Sequence, residues 1–513
     1  MKYNNIEIFF KSSQTRIIAD VTARVWSALL SFSVLPIYLS YIGSESLGLV
    51  TAFATIQTVL GLLDFSLSPS LTRELAQVSS SAEGWARVKN LSRTLEIIYI
   101  ILAILIGVFL IVFIPTISKE WLNPQALTSD EIQLALYVGV LMLICQWPAT
   151  LYAGGLAGFE KQHILALINI TIPTLRVIIT IFCFLLFNPS VLTIFIVGLL
   201  ASLFQTFLMR FVFWKMFPKC TLQGVFQLKL ISEIWRFTIG LSFISITSIL
   251  IWQADKIIFS KLLPLSEFGT YSISLTIANV FFIISGSFYG VSYPRFSNLV
   301  KNNDEKKLAD FYHKISQTLA ILVFPGSAIV FFFSQELLVL WTGNLNLANE
   351  GHIALSFYVI GNLLNCIISL PYAVQLAIGS TRALSIAHLV CLALIYPFIY
   401  LLFPILGILS GPANWIFINL ILLIITAYIA NSKFSRNDKR KWYLFDISLP
   451  LVVSYSSIFV FRLLPLEYNT RSYIFLHIML ALVFGVCATL LVCSRIRKII
   501  FEFIYLKLKK GLI

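Results

Sequence analysis

Arg176 sits about twelve residues from either end of a continuous apolar run, near 164–187. A charge near the middle of a bilayer costs at least about 2.5–3.5 kcal/mol on insertion scales, so it must face a partner or water. Arg24 stands one third of the way into another apolar run, near 17–40, with Asp20 one helical turn earlier. An Asp20–Arg24 pair at i, i+4 would be either a clasp that lowers the insertion cost or part of a site. Arg176 has no acidic neighbour in its own run, so a structural role requires a partner from elsewhere, with Asp64 or Asp255 as candidates. Asp255 and Lys256 are adjacent in WQADKIIF and point about 100° apart on a helix, so one of them faces inward. Asp64 either caps the polar step before Pro69 or belongs to the same interior. Arginine offers a planar fork that binds phosphate oxygens bidentately. The chemistry these residues suit is the holding of an anionic head group by Arg24, Arg176 and Lys256. Asp20, Asp64 and Asp255 would be their charge partners or coupling groups.

The runs that must position these residues are membrane helices. The chain has 513 residues, 58% hydrophobic and 12% charged, with a mean hydropathy of +0.90. Apolar runs of about 18 residues or more recur from end to end, each long enough to cross a hydrocarbon core about 30 Å thick. They lack the alternation of a barrel, and in lipid every backbone group must be satisfied within the segment, so they are helices. About fourteen spans are expected. The first six form a lobe over 1–215, an inner linker covers 216–238, and the next six form a lobe over 239–430. Spans thirteen and fourteen, with a basic tail, occupy 431–513 as an appendage.

The two lobes are related by a repeat. Glu45 and Gly48 open an apolar run that closes on Arg73, and Glu267 and Gly269 open one that closes on Pro294 and Arg295. Gly48 to Gly269, Gly158 to Gly379 and Lys161 to Arg382 are each steps of 221 residues. Internal repeats of this kind fix architecture before any single residue is read. The expected fold is therefore all-α, two six-helix lobes around a central cavity, plus two C-terminal helices. Prolines at matching repeat positions, Pro148 and Pro371, are candidate hinges between cavity states.

The net charge of +14 is read as topology rather than nucleic-acid binding. With the N-terminus inside, nearly all loop Lys and Arg fall on the cytoplasmic side, while clear external loops offer only Lys119 and Arg471. Both termini are expected in the cytoplasm and no cleavable signal peptide is seen. The seven cysteines show no C-x-x-C and the five histidines are dispersed, so neither a metal nor a disulfide framework is expected. Gln57, Asn169, Gln253, Asn362, Asn365, Gln375 and Asn419 either line a cavity or bond between helices, which is the commoner use of membrane amides.

Pro36-x4-Tyr41-Ile-Gly, Glu45-Ser-Leu-Gly48, Gly61-Leu-Leu-Asp64 running to Arg73-Glu74, Ala254-Asp255-Lys256, Glu267-Phe-Gly269 and Tyr293-Pro294-Arg295 together carry a resemblance. Over about 17–430 the chain resembles the polysaccharide-export branch of the multidrug/oligosaccharidyl-lipid/polysaccharide exporter superfamily, and within it the O-antigen flippases. Its fourteen spans resemble the lipid II flippases in number. The resemblance implies alternating-access transfer of an undecaprenyl-pyrophosphate-linked oligosaccharide from the cytoplasmic to the outer leaflet of a bacterial inner membrane. It also implies that Arg24 and Arg176 meet the pyrophosphate while Asp64 and Asp255 tune or couple the cavity. No enzyme activity and no cofactor are expected. Coupling to H⁺, Na⁺ or the membrane potential is expected instead, because no Walker A motif is present. Expected partners are the lipid-linked oligosaccharide, membrane lipids, and a polysaccharide polymerase or chain-length regulator. Within the same superfamily the rival is an organic-cation antiporter, whose cavity would be dominated by carboxylates. A sugar polymerase or ligase is disfavoured by the lack of a large external loop, and a major-facilitator transporter by the missing Asp-Arg-x-Gly-Arg loop motif.

Overall fold

A computed structural model describes residues 2–64, 67–78, 81–218, 224–464, 471–499 and 502; the side chains of 2–21, 233–245, 381 and 384 lie outside that description. The described residues are helical almost throughout, with no strand and one isolated bridge between Asn123 and Pro264. That is the solution hydrocarbon imposes, since a helix satisfies its own backbone. Ten helical segments are long and apolar enough to cross a membrane, or eleven when a pair bent by 42° is taken as one span. Two of the ten, Thr22–Asp64 with 43 residues and Ser385–Asn431 with 47, each cover two of the fourteen spans expected from sequence.

The chain folds as two compact units, Met1–Gly269 and Thr270–Ile513. The repeat puts the lobe boundary earlier, in 216–238, whereas the helix that follows that linker packs with the first unit. In the first unit, α1 (Lys2–Leu60) is two helices in series, broken at Gly43 with φ 75° and ψ 175°. Glycine takes that conformation without the Cβ clash that bars other residues. After α2 (Leu67–Ala76) come α3 (Ala82–Thr116), α4 (Ser129–Gly158), α5 (Gln162–Leu186), α6 (Val191–Lys215) and α7 (Lys229–Leu262). Short polar caps start them. Ser81 accepts from Gly84 N–H at 3.1 Å, and Thr128 and Glu131 form a reciprocal capping box. Pro148 lies within α4, which runs through it without a break.

One carboxylate joins three of these helices. Glu96 of α3 is 1% exposed and takes four donors. Tyr152 Oη of α4 donates at 2.6 Å, Arg210 Nε of α6 at 2.7 Å and Trp214 Nε1 at 3.2 Å. Arg93 pairs with its second oxygen. A buried carboxylate is tolerable only when so surrounded.

α8 (Leu265–Thr276) runs across the boundary between the units. The second unit then continues with α9 (Val280–Lys301), α10 (Glu305–Phe332), α11 (Ser334–Thr342), α12 (Leu345–Ala377), α13 (Thr381–Leu406), α14 (Ser410–Asn431), α15 (Arg436–Lys441), α16 (Leu449–Leu463) and α17 (Arg471–Val492). Gly343, at φ 69°, closes α11 in the left-handed conformation, and Asn344 then caps α12. Pro371 lies within α12, which is also unbroken.

α16 and α17 are built into this unit rather than appended to it. Ile458, Ile474, Ile478 and Ala481 pack with Ala328, Ile329 and Phe333 of α10 and its end. Buried polar groups lock the contact. Asp446 pairs with His313 and accepts from Gln317 Nε2 at 2.8 Å, while Gln317 Oε1 accepts from the Arg495 backbone N–H at 3.0 Å. Arg462 pairs with the buried Glu336.

Replacing both Arg93 and Arg210 by alanine strands the Glu96 charge. Unfolding of the purified protein is expected to show a loss of about 3–5 kcal/mol. Tyr152→Phe, which removes one donor of four, is expected to lose about 1 kcal/mol.

Candidate functional site

α1 and α5 lie side by side, joined by a hydrogen bond from Trp26 Nε1 to Thr174 Oγ1 at 2.8 Å. Arg24 and Arg176 are each two residues from that bond, 26 − 24 and 176 − 174. At 1.5 Å rise per residue they stand within about 3 Å of its level along their helices. The structure therefore places the two arginines, 152 residues apart in sequence (176 − 24), on one helix pair and within about 6 Å of each other's level.

Their surroundings differ. Arg24 is exposed. Arg176 is half-buried and reaches toward α6, where a Cβ on Gly198 would lie 3.1 Å from its Nη2. Met142 of α4 lines the same spot. Among the described residues Arg176 makes no ion pair. The expectation that Asp64 would neutralise it therefore has no support. Asp64 accepts instead from Tyr99 Oη and from the Ser68 backbone N–H, the capping role open to it at the start of α2. Asp255 is buried on α7 and Lys256 beside it is half-buried. The Asp20 side chain lies outside the described residues.

Other polar groups gather in a separate cavity of the same unit. Gln57, Thr58, Asp64, Gln146, Trp147 and Thr150 line a cavity of about 340 Å³. Gln57 Nε2 donates to Gln146 Oε1 at 2.6 Å across it. Through Leu60 this cavity adjoins an apolar one of about 270 Å³, whose wall includes Phe53, Trp121 and Ile257. In the second unit Asn362, Asn365 and Asn419 bond between helices. Asn362 Nδ2 donates to Ala278 O at 2.7 Å and its Oδ1 accepts from Trp415, while Asn365 donates to Asn419 at 3.0 Å.

A latch stands at the opposite end of the first unit, where α1 turns at Gly43. Glu45 accepts from the backbone N–H groups of Gln125, Ala126 and Leu127 at 2.7–3.1 Å. Asn123 donates to Lys261 O at 2.7 Å and accepts from Leu265 N–H at 2.9 Å. Gln125 accepts from Ser266 Oγ at 2.7 Å. Under these bonds the backbone around Gly48 and the backbone around Gly269 touch. A Cβ on Gly48 would overlap the Leu265 carbonyl and come within 3.2 Å of Gly269 N, and one on Gly269 would overlap the Ser44 carbonyl and come within 3.0 Å of Gly48 N. The contact is reciprocal, Gly48 against Leu265 and Gly269 against Ser44, and a step of 221 residues maps Ser44 onto Leu265 and Gly48 onto Gly269. The sequence marks these glycines as equivalent turns, whereas the structure has both inside helices, Gly48 in α1 and Gly269 in α8. That they meet, and that Glu45 ties a loop 80 residues downstream, leaves no local signal.

The described residues form an all-helical, multi-pass membrane fold with one bonded end and polar residues inside its helices. The fold matches that of the lipid II flippase MurJ in an inward closed conformation, with TM-score 0.69 and 14% identity over 95% of this chain and 99% of that one. It matches an inward-facing multidrug resistance MATE transporter with TM-score 0.66 and 14% identity over 79% and 93%. A superfamily transporter from Pyrococcus furiosus, described as having a binding pocket of reversed polarity, matches with TM-score 0.54 and 15% identity over 83% and 96%. No curated protein sequence matches. The model of the polysaccharide biosynthesis protein family matches residues 16–300, more than half of the chain, and the chain belongs to that family.

Gly48→Val and Gly269→Val push side chains into facing carbonyls. Each is expected to separate this end of the unit, seen as faster cysteine labelling at an introduced Ser44→Cys than in the same reporter without the valine. Unchanged labelling would show that the close approach is not maintained in the membrane.

Proposed function

We propose that the protein is a flippase that carries an undecaprenyl-pyrophosphate-linked oligosaccharide, an O-antigen or related repeat unit, from the cytoplasmic to the periplasmic leaflet. The observation that carries the reading is membership of the polysaccharide biosynthesis family, joined to a fold shared with a lipid II flippase along nearly the whole chain. Physical chemistry favours the same cargo. A diphosphate with a hydrophilic oligosaccharide cannot cross hydrocarbon unless its polar part travels in a wet, positively charged enclosure while the polyprenyl tail stays in lipid.

Arg24 and Arg176 are the proposed diphosphate ligands, with Lys256 as a further cation. Their neighbouring levels on α1 and α5 suit two cations acting on one anion, and Arg176 makes no ion pair among the described residues. Asp64, Asp255 and Asp20 are proposed as charge partners or coupling groups for H⁺, Na⁺ or the membrane potential. The proposed setting is the bacterial inner membrane with both termini in the cytoplasm, delivering to a polymerase and its chain-length partner. The latch at Glu45 and the glycine contact fit one closed end of an alternating-access cycle. An organic-cation antiporter shares the fold, yet two arginines within the spans oppose a cationic cargo.

Arg176→Ala and Arg24→Ala are expected to lower surface polysaccharide at least about tenfold at unchanged protein level, with Arg176→Lys retaining part of it because lysine keeps charge but not the bidentate fork. Full export by both alanine variants would remove the diphosphate role. Rescue of dye efflux but not of polysaccharide would favour the antiporter.

A further inference from the structure

A further cavity in the first unit is lined by none of the residues proposed above as ligands or charge partners. It has a volume of about 550 Å³ and is lined by Lys89 and Arg93 of α3, by Arg210, Trp214 and Lys215 of α6, and by Gly224 of the following linker, with Phe207 and Phe211 alongside. Four cations face it, and no acidic residue lines it among the described residues. Glu96 stands behind, fully buried, and holds Arg93 by one nitrogen and Arg210 by Nε. Each guanidinium has five N–H donors, so both keep donors for an anion while their planes are fixed. Trp214 is fixed by the same carboxylate. Gly224 and the described residues after it run along the remaining wall. Val225 N–H donates to Asn90 Oδ1 at 2.8 Å and Gln227 N–H to Thr94 Oγ1 at 2.9 Å. A Cβ on Gly224 would lie 3.0 Å from Lys89 O, so the chain passes close to α3 there.

The position is that of a membrane interface. Lys215 ends α6, and Lys89 lies within the first ten residues of α3. Just inside, Phe207 and Phe211 are 68% and 58% exposed, one helical turn apart. A pocket with oriented guanidinium groups at its head and exposed rings beside it has the polarity of an amphiphile with a phosphate head. We propose that this cavity binds the phosphate headgroup of a membrane lipid, at a place distinct from the Arg24–Arg176 level.

Two lipids could supply that chemistry, an anionic phospholipid of the bilayer or a polyprenyl diphosphate. The test is native mass spectrometry of the full chain in detergent, titrated separately with phosphatidylglycerol, phosphatidylcholine, farnesyl diphosphate and inorganic pyrophosphate. Phosphatidylglycerol or farnesyl diphosphate is expected to bind at least about tenfold tighter than phosphatidylcholine, and whichever binds tighter names the source. Lys89→Gln with Lys215→Gln leaves the Glu96 contacts intact and is expected to erase that preference, since each interfacial cation contributes several-fold to anionic-lipid affinity. Lys215→Gln alone, at a helix end, serves as a second variant and is expected to remove part of it. Equal affinities in wild type and both variants would overturn the proposal. So would inorganic pyrophosphate binding as tightly as either anionic lipid, which would make the ligand a soluble anion. Binding is scored without export, so failure here leaves the flippase reading standing, and failure of that reading leaves this site to be judged on its own.

Discussion

Hydrocarbon solvates neither a charge nor an unpaired peptide group, and the structure follows from that single constraint. Backbone satisfaction makes the described residues helical almost throughout. Charge satisfaction then sorts the ionisable side chains into two kinds. Glu96, Asp446 and Glu336 are buried and surrounded by donors from other helices. They act as joints, because each joins helices that would otherwise share only lipid-like contacts. Arg176 has no such carboxylate among the described residues, which separates it from the joints and makes it the better candidate for meeting something that comes and goes.

The same division explains why the first unit holds its candidate groups at different depths. Rigid contacts lie at its two ends, the Glu96 joint at the basic end and the Glu45 latch at the other. Between them the helices carry arginines, amides and a cavity with polar walls. Stiff ends around a polar middle suit a body that moves as a whole. The unbroken passage of α4 and α12 through Pro148 and Pro371 points the same way. Neither helix is interrupted at its proline.

Class, helical content and the position of nearly every helix were legible in the sequence because they depend on runs of one kind of residue. The spacing of Gly48 and Gly269 was legible too, but not their use, since both lie inside helices as points of close approach and the break falls at Gly43. Pairings were not. Glu96 finds Tyr152 and Arg210 across 56 and 114 residues, and His313 finds Asp446 across 133. Nothing in a neighbourhood of sequence announces such partners. Arg93 reads as one more cytoplasmic cation marking topology, yet it belongs to the Glu96 joint. Spans thirteen and fourteen lie outside the repeat and so read as an addition, although α16 and α17 share a core with α10. The amides were readable only as a choice between cavity and packing, and in the second unit Asn362, Asn365 and Asn419 bond between helices.

Transport of a lipid-borne anion is the claim on which the functional account rests. Its most direct measurement is leaflet transfer in proteoliposomes. Purified protein would be reconstituted with a fluorescent undecaprenyl-pyrophosphate oligosaccharide, and loss of signal to an impermeant quencher followed with time. The account predicts transfer well above that of empty liposomes, slowed severalfold by added anionic polyprenyl diphosphate competitor but not by an organic cation. Transfer indistinguishable from empty liposomes under an imposed proton gradient, sodium gradient and membrane potential alike would contradict it.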